Sequence, residues 1–196
     1  MSPPAVTCSG YAGPVTSPDA APASPPGLSV LFVCTGNVCR SPFAELLLRA
    51  QVPGLAVASR GIHALAGEPM ERQMAAELAR RGGDPEGFRA RQVTVADLGA
   101  DLVLTMSPRQ RRFLVEEHPA AARRSGLLGH VPQLAALAAA HGGLDRDVIA
   151  QWSRARHPGG QEVPDPYRRP PEVAAATAAR LEDLLGQLAP LLAAAR

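Results

Sequence analysis

The sequence has few of the residues and segments that mark several common classes of protein. It contains only three cysteines, Cys8, Cys34 and Cys39, too few and too unevenly spaced for a secreted fold held by disulfides. No apolar run approaches the roughly 20 residues of a membrane span, and the N-terminus lacks the basic-then-apolar pattern of a signal peptide. These absences favour a reducing, cytoplasmic location without insertion into a membrane.

Lysine is absent, so all 20 basic residues are arginine. The formal net charge is only +2, too weak a bias to indicate a nucleic-acid partner. The abundance of Ala, Pro, Gly and Arg is typical of GC-rich, mostly bacterial genomes. With 196 residues, 46% of them hydrophobic, the chain is long enough for one compact domain with an appendage.

Residues 1–27 form that predicted appendage. They carry seven prolines, many small residues and a single charge, Asp19. Such a segment buries too little apolar surface to offset its ordering entropy, which predicts a disordered tail. Cys8 and Tyr11 within it are candidates for a modification or tether site, and an inert extension is the alternative.

From residue 28 onward, patterns typical of strands and helices alternate. This order predicts an α/β fold, a doubly wound four-stranded parallel sheet with helices on both faces. The predicted strands are residues 28–33, 55–59, 101–106 and 126–129. Helical spacing marks residues 43–50, 70–78, 108–118 and 173–191, and two further helices lie in a less expected stretch at about 130–162. Ligands of such sheets bind beyond the carboxyl ends of the strands.

The loop after the first predicted strand has the composition of an oxyanion cradle. Cys34 and Arg40 stand at its two ends, and Gly36 and Asn37 allow the backbone N–H groups between them to turn inward. Pro42 in the first turn of the next helix leaves the positive end of the helix dipole facing the same point. The candidate anion-binding residues are therefore Thr35, Gly36, Asn37, Val38, Cys39 and Ser41, with Arg40 as a fork that matches two oxygens. A thiolate at Cys34 would attack phosphorus there.

Other readings of this loop fit less well. The Gly-Lys-Ser/Thr ending of a Walker A loop is missing. Cys34 and Cys39 are five positions apart without a second Cys/His pair at zinc spacing, so we expect no metal. A purely structural pair of buried cysteines remains an alternative, although it leaves the Gly, Asn, Arg, Ser and Pro residues unexplained.

A leaving group also needs a proton donor, and the candidate is Asp165. It lies between Pro164 and Pro166, which hold the chain rigid and fix the direction of the carboxyl group. Tyr167 follows and is able to wall a slot for a planar substrate. An Asp-Pro pair often marks only a turn, and we assign Asp84-Pro85 to such a loop.

Cys34-(x)5-Arg40-Ser41-Pro42 after an apolar strand, together with the late Asp165-Pro166-Tyr167, resembles the low-molecular-weight protein tyrosine phosphatases of bacterial type. The resemblance runs from about residue 28 to the C-terminal helix, so it implies a phosphatase domain at 28–196. It implies that Cys34 forms a cysteinyl-phosphate while Asp165 protonates the departing phenol, and that water, assisted by Asp165, then releases phosphate. No cofactor is implied. The implied partners are a phosphotyrosine protein, with a bacterial tyrosine kinase as one candidate, and a phosphate or sulfate anion.

The resemblance also implies that Cys39 traps an oxidised Cys34 as a reversible disulfide, with loop packing as the alternative role. Three departures from the family stand out. Phe88 occupies the position of a histidine that braces the loop asparagine in many members, which leaves the brace of Asn37 open. Leu65 replaces a pocket aromatic residue, and the segment at about 130–162 reads as a helical insertion. That insertion is a cover, a partner surface or a peripheral helix.

Competing functions remain at this point. Relatives that hydrolyse phosphoarginine tend to carry threonine where this chain has Val38, an apolar wall that better suits an aromatic ring. Arsenate reduction needs further cysteines, and none follows Cys39. The sequence therefore predicts a phosphotyrosine-protein phosphatase, with a protein arginine phosphatase or a catalytically weak phosphate-binding module as alternatives.

Overall fold

The computed structural model describes residues 27–195, so the predicted tail lies outside the described residues apart from Gly27. Four parallel strands form one sheet in the order β2-β1-β3-β4. Their bounds are β1 Val30–Cys34, β2 Val57–Gly61, β3 Leu102–Thr105 and β4 Ser125–Leu127. The predicted doubly wound four-stranded sheet is thereby confirmed.

Six α-helices connect and cover the strands in the described part of the chain. They are α1 Arg40–Gln51, α2 Arg72–Ala79, α3 Pro108–Glu117, α4 Val131–His141, α5 Arg146–Arg154 and α6 Pro171–Ala194. Short 3-10 helices lie at Asp97–Gly99, Pro119–Arg123 and Leu128–His130.

The two faces of the sheet pack against different helices because side chains alternate along each strand. Val30 and Phe32 of β1 join the larger core with residues of α1, α2, α4 and α6. Leu31 and Val33 point the other way and pack with Leu114 of α3 in a smaller core. β1 is buried along its whole length, as expected for a central parallel strand.

Most element boundaries differ by a few residues from the sequence-based expectation, and two of these differences have a clear local reason. β1 extends to Cys34, one residue beyond the predicted run, because its parallel pairing continues to Gly61. The second helix was predicted to include Met70, but α2 begins only at Arg72. The carboxylate of Glu71 accepts hydrogen bonds from the backbone N–H groups of Gln73 and Met74, which fixes the start of the helix.

The stretch after β4 is built closely against the sheet edge. Trp152 of α5 is fully buried, and a Cβ atom on Gly126 of β4 would lie 2.1 Å from its ring. A Cβ atom on Gly129 would lie 1.6 Å from the backbone oxygen of Gln161. Glycine at these two positions therefore lets α5 and the chain after it approach the strand.

Among the described residues, no helix combines the length and apolar character needed to cross a bilayer.

We expect Gly126→Ala to lower the free energy of unfolding by about 1–3 kcal/mol, because the new methyl group overlaps the fixed indole ring of Trp152. Gly186→Ala is the matched control: Gly186 lies inside α6 with open space around it, so alanine there should stabilise the protein by about 1 kcal/mol. Urea unfolding measures both changes. Equal stabilisation by the two variants would contradict the close packing of α5.

Candidate active site

The sulfur of Cys34 lies at the carboxyl end of β1, where the loop to α1 begins. The backbone N–H of Asn37 donates to this sulfur at 3.3 Å, and the Ser41 hydroxyl oxygen lies 3.0 Å from it. Ser41 Oγ also accepts a hydrogen bond from Asn37 Nδ2 at 3.0 Å and lies 3.4 Å from the backbone oxygen of Arg60, so its hydrogen has two acceptors in reach, that oxygen and the sulfur. Both contacts hold the sulfur at the base of the loop.

Asn37 holds the loop in its shape. It is fully buried and adopts a left-handed backbone conformation with φ 55°, which asparagine tolerates better than most residues. Its Nδ2 donates to Ser41 and also to Ser59 Oγ at 2.8 Å, and its Oδ1 accepts from the backbone N–H of Arg91 at 2.8 Å. The side-chain amide therefore ties the loop to β2 and to the segment beyond it.

Ser59 extends this connection to a buried carboxylate. Its hydroxyl donates to Glu45 Oε2 at 2.6 Å, and Glu45 is only 7% exposed and pairs with Arg49. Phe88 stands where a histidine was expected to support Asn37. That support is present without a histidine, because Asn37 is hydrogen-bonded to Ser59 and Ser59 to Glu45. Phe88 itself packs at the margin of the larger core.

Several donors of the loop have no partner within the described chain. The backbone N–H groups of Gly36, Val38 and Cys39 bond to no other group of residues 27–195. Arg40 is 5% exposed, and its buried Nε lacks a hydrogen-bond acceptor there too. Buried donors are rarely left unpaired. Together with the N-terminus of α1, these groups form a site suited to an oxyanion.

Asp165 meets this loop from the far end of the chain. Its Oδ2 lies 2.7 Å from Arg40 Nη2, while Arg40 Nη1 donates to the backbone oxygen of Val163 at 3.2 Å. Val163 is anchored in turn, because its N–H donates to the oxygen of Met106 just beyond β3. The backbone N–H of Tyr167 donates to Asp165 Oδ1 at 3.2 Å. The carboxylate of Asp165 is therefore held by Arg40 at Oδ2 and by the N–H of Tyr167 at Oδ1.

A cavity of about 360 Å³ opens above the sulfur. Most of the predicted site residues line it: Cys34, Thr35, Gly36, Val38, Cys39, Arg40, Leu65, Asp165 and Tyr167. The other two, Asn37 and Ser41, are buried behind the loop and support it from within. Leu65 and Tyr167 remain 41% and 38% exposed, which leaves apolar surface at the cavity mouth.

Two lining residues, His63 and Arg168, were not predicted from the sequence. His63 follows β2 at the same sheet edge as Cys34, a position that could have marked it. Arg168 has a positive φ of 57°, and its guanidinium carbon lies 5.1 Å from the centre of the Tyr167 ring. Glu45 and Ser59 were also missed, because their contacts to the loop join segments distant in sequence.

Cys39 differs from Cys34 in its surroundings, although both are free thiols. Burial raises the pKa of Cys39 well above its ordinary value, and the neighbouring Cys34 and the carboxyl groups of Glu71 and Asp165 raise it further. Cys39 therefore stays protonated at neutral pH. No cluster of three metal-ligating side chains occurs in the part of the chain that the structure describes.

The fold and the loop define a parallel α/β protein with an oxyanion site beyond its first strand. The family model described as low molecular weight phosphotyrosine protein phosphatase matches residues 29–135. The chain is 34% identical over 143 residues to the low molecular weight protein-tyrosine-phosphatase Etp of Escherichia coli K12, across 72% of this chain and 78% of Etp. The chain therefore belongs to the low molecular weight phosphotyrosine protein phosphatase family.

Solved structures give the same picture of the fold. The tyrosine phosphatase Wzb from Escherichia coli K30, in complex with sulphate, superimposes with a TM-score of 0.65 at 27% identity, over 84% of this chain and 97% of Wzb. The YwlE arginine phosphatase from Geobacillus stearothermophilus gives a TM-score of 0.65 at 28% identity, over 83% and 91%. The similarity thus includes phosphatases with two different substrates.

We expect Ser59→Ala to lower the free energy of unfolding by about 1–3 kcal/mol, because it leaves Asn37 and Glu45 each short of a buried partner. It should also weaken the binding of inorganic phosphate, since the loop loses its tie to β2. Ser153→Ala is the control, because that buried hydroxyl donates only to Ile149 in the preceding turn of its own helix. Urea unfolding and phosphate titration measure the two effects, and identical results for both variants would contradict the brace.

Proposed function

We propose that the chain is a phosphotyrosine-protein phosphatase that works through a cysteinyl-phosphate. The observation that carries this proposal is the convergence of Cys34, Arg40 and Asp165 on one cavity, with Arg40 and Asp165 joined at 2.7 Å. A nucleophile, an oxyanion clamp and a proton carrier are the three groups that this chemistry needs. Membership of the family supports the same function.

In the first step, Cys34 Sγ attacks phosphorus as the bond from phosphorus to the phenolic oxygen breaks. Asp165 gives its proton to that oxygen, so tyrosine leaves neutral. The equatorial oxygens of the phosphoryl group bind to Arg40 and to the inward N–H groups of Gly36, Val38 and Cys39. Ser41 stabilises the thiolate before attack.

In the second step, water attacks the cysteinyl-phosphate while Asp165 accepts a proton from it. The sulfur–phosphorus bond breaks, inorganic phosphate forms and the Cys34 thiolate returns.

Arg40 must turn from the Asp165 carboxylate toward the phosphoryl oxygens at the start of the cycle. Its contact with the oxygen of Val163 keeps the guanidinium at the cavity while it does so, and its Nε, which has no acceptor among the described residues, is available to a phosphoryl oxygen.

The walls of the cavity favour an aromatic substrate. Val38, Leu65 and Tyr167 present apolar surface around the entrance, and a phenyl ring packs well between such side chains. We infer a phosphotyrosine protein as the substrate, with a bacterial tyrosine kinase as a candidate, and a reducing bacterial cytoplasm as the location.

The segment at about 130–162 is, in this proposal, a helical insertion into the phosphatase domain.

The arginine phosphatase YwlE among the similar structures makes protein arginine phosphatase the second candidate function. Side-by-side turnover of peptides carrying phosphotyrosine, phosphoserine or phosphoarginine separates the two. We expect phosphotyrosine to be hydrolysed most efficiently and Cys34→Ser to abolish turnover. Faster hydrolysis of phosphoarginine would establish the second function, and phosphate binding without any turnover would indicate a regulatory module.

We expect Asp165→Asn to lower kcat for a phosphate ester with a poor leaving group by about two to four orders of magnitude, the usual effect of losing an acid catalyst. The same variant should bind inorganic phosphate more tightly, because Arg40 is released from its carboxylate partner. The opposite signs of these two effects separate a catalytic role from a loss of folding.

Asp84→Asn provides the matched control for this prediction. Asp84 also precedes a proline, but it accepts a hydrogen bond only from Glu86 in an exposed loop. Its kinetics should equal those of the wild type. Unchanged turnover of the poor leaving group in Asp165→Asn would remove Asp165 from the proposed role.

A further inference from the structure

A second cavity, of about 270 Å³, lies at the β4 edge of the sheet. Its walls are the start of α3, the end of β4, and the chain that follows α5. Its lining residues include three ionisable groups, Arg111, His130 and His157, and all three are basic. No carboxylate lines the cavity, so no residue of its wall offsets the charge of Arg111.

Arg111 lacks a counter-ion within residues 27–195. Its Nε donates to the backbone oxygen of Ser125 at 3.0 Å, and its Nη2 donates to that of Ser153 at 3.1 Å. Its Nη1 bonds to no acceptor in the same part of the chain. Burial lowers the pKa of Arg111, which reflects the cost of holding a cation away from water without an anion. Arg111 is half-buried, so its charge is only partly exposed to water.

The two imidazoles stack face to face beside this guanidinium. The ring centroids of His130 and His157 lie 4.5 Å apart at an interplanar angle of 30°. Nε2 of His130 lies 3.1 Å from the oxygen of Pro158, and Nε2 of His157 lies 2.8 Å from that of Trp152. A carbonyl oxygen only accepts, so each Nε2 carries the hydrogen, and neither Nδ1 has a hydrogen-bond partner within residues 27–195.

Burial and the neighbouring basic groups oppose protonation of His130. The pKa of His130 is lowered from its ordinary value by burial first, then by the nearby His157, and to a smaller extent by Arg111. An anion bound beside these groups would instead favour the protonated form of His130. It would accept hydrogen bonds from the protonated Nδ1 of His130 and from Arg111 Nη1, and it would supply the missing counter-charge.

We propose that this cavity binds a compact oxyanion with two negative charges, either free inorganic phosphate or the phosphate group of a larger metabolite. The glycines at 159 and 160 leave the backbone of one wall open to close approach by such a ligand. A metal ion would require carboxylate, thiolate or further imidazole ligands, and the described residues contain no such cluster. The proposal does not depend on the activity proposed above.

The site has a physical route to the catalytic cavity. His157 and the residues up to Gln161 line the second cavity, and the backbone of Gln161 packs on Gly129. Two residues later, Val163 contacts Met106 and Arg40, and Asp165 follows. An anion held at residues 157–160 would therefore restrain the chain that presents Asp165 to Arg40.

Sulfate is the probe of choice because it stays a dianion while histidine titrates. We would titrate the wild-type protein with sulfate at about pH 6 and about pH 8, at constant ionic strength with chloride, and follow the histidine ring signals by NMR. His63 lines the catalytic cavity and reports binding there. His130 and His157 report the second cavity, and His118 and His141, which lie outside both, report non-specific effects.

We expect saturable shifts of His130 and His157 that persist in Arg40→Ala, which removes the clamp of the catalytic cavity. The affinity read from them should be at least about tenfold higher near pH 6 than near pH 8, because binding is coupled to protonation. Shifts confined to His63, or a parallel drift of all five histidine signals, would overturn the proposal. The His63 signal is separate, so failure of the second site leaves the proposed function intact.

Variants test the assignment to Arg111 and the histidine pair. Arg111→Ala should weaken sulfate binding at this cavity at least about tenfold, but it also removes contacts to three backbone oxygens. His157→Phe keeps an aromatic ring against His130 and should weaken binding to a similar extent, read from the His130 signal. Arg112→Ala is the control, since Arg112 lies on the same helix outside the cavity lining. Unchanged affinity in His157→Phe would contradict the site.

A last comparison distinguishes the two sources of the oxyanion. Inorganic phosphate and glucose 1-phosphate are titrated separately into Arg40→Ala, with the His130 and His157 signals as the readout. Binding of inorganic phosphate alone supports a closed site for the free anion. Equal binding of both supports a site for the phosphate group of a metabolite, and binding of neither overturns the proposal.

Discussion

The candidate active site depends on one constraint: the loop from Cys34 to Arg40 must point several N–H donors at a single place and stay in that shape while empty. Asn37 makes this possible by adopting a backbone φ of 55°, which is unfavourable for a residue with a side chain. Its buried side-chain amide donates two hydrogen bonds and accepts one, which offsets that strain, and the connection through Ser59 ends on the carboxylate of Glu45. The loop is thus preorganised by residues that never touch a substrate.

Much of this architecture is predictable from the sequence because it is local. The alternation of apolar runs and helical spacing gave the parallel sheet, and the residues from Cys34 to Pro42 gave the loop after its first strand. Asp165 was found because two prolines and a tyrosine surround it. These signals occupy a few consecutive positions, where backbone preference and side-chain chemistry act together.

The remaining features escaped prediction because they join segments far apart in sequence. Ser59 lies 22 residues from Asn37, and nothing in the sequence around Glu45 distinguishes it from a solvated helical carboxylate. The loss of a histidine at Phe88 left the brace of Asn37 open, yet the same polar atoms find partners by another route. Arg111 reads as one arginine among several on α3, and only the fold places it with His130 and His157. Pairing of this kind is decided by tertiary packing.

The anchoring of Val163 has a consequence for how such proteins change over time. One residue is joined both to the end of β3 and to Arg40, so the position of Asp165 is fixed against the sheet as well as by the chain that leads to it. A change of length in α4 or α5 would leave both contacts at Val163 available, and with them the approach of Asp165 to Arg40. The peripheral helices and the catalytic geometry therefore need not change together.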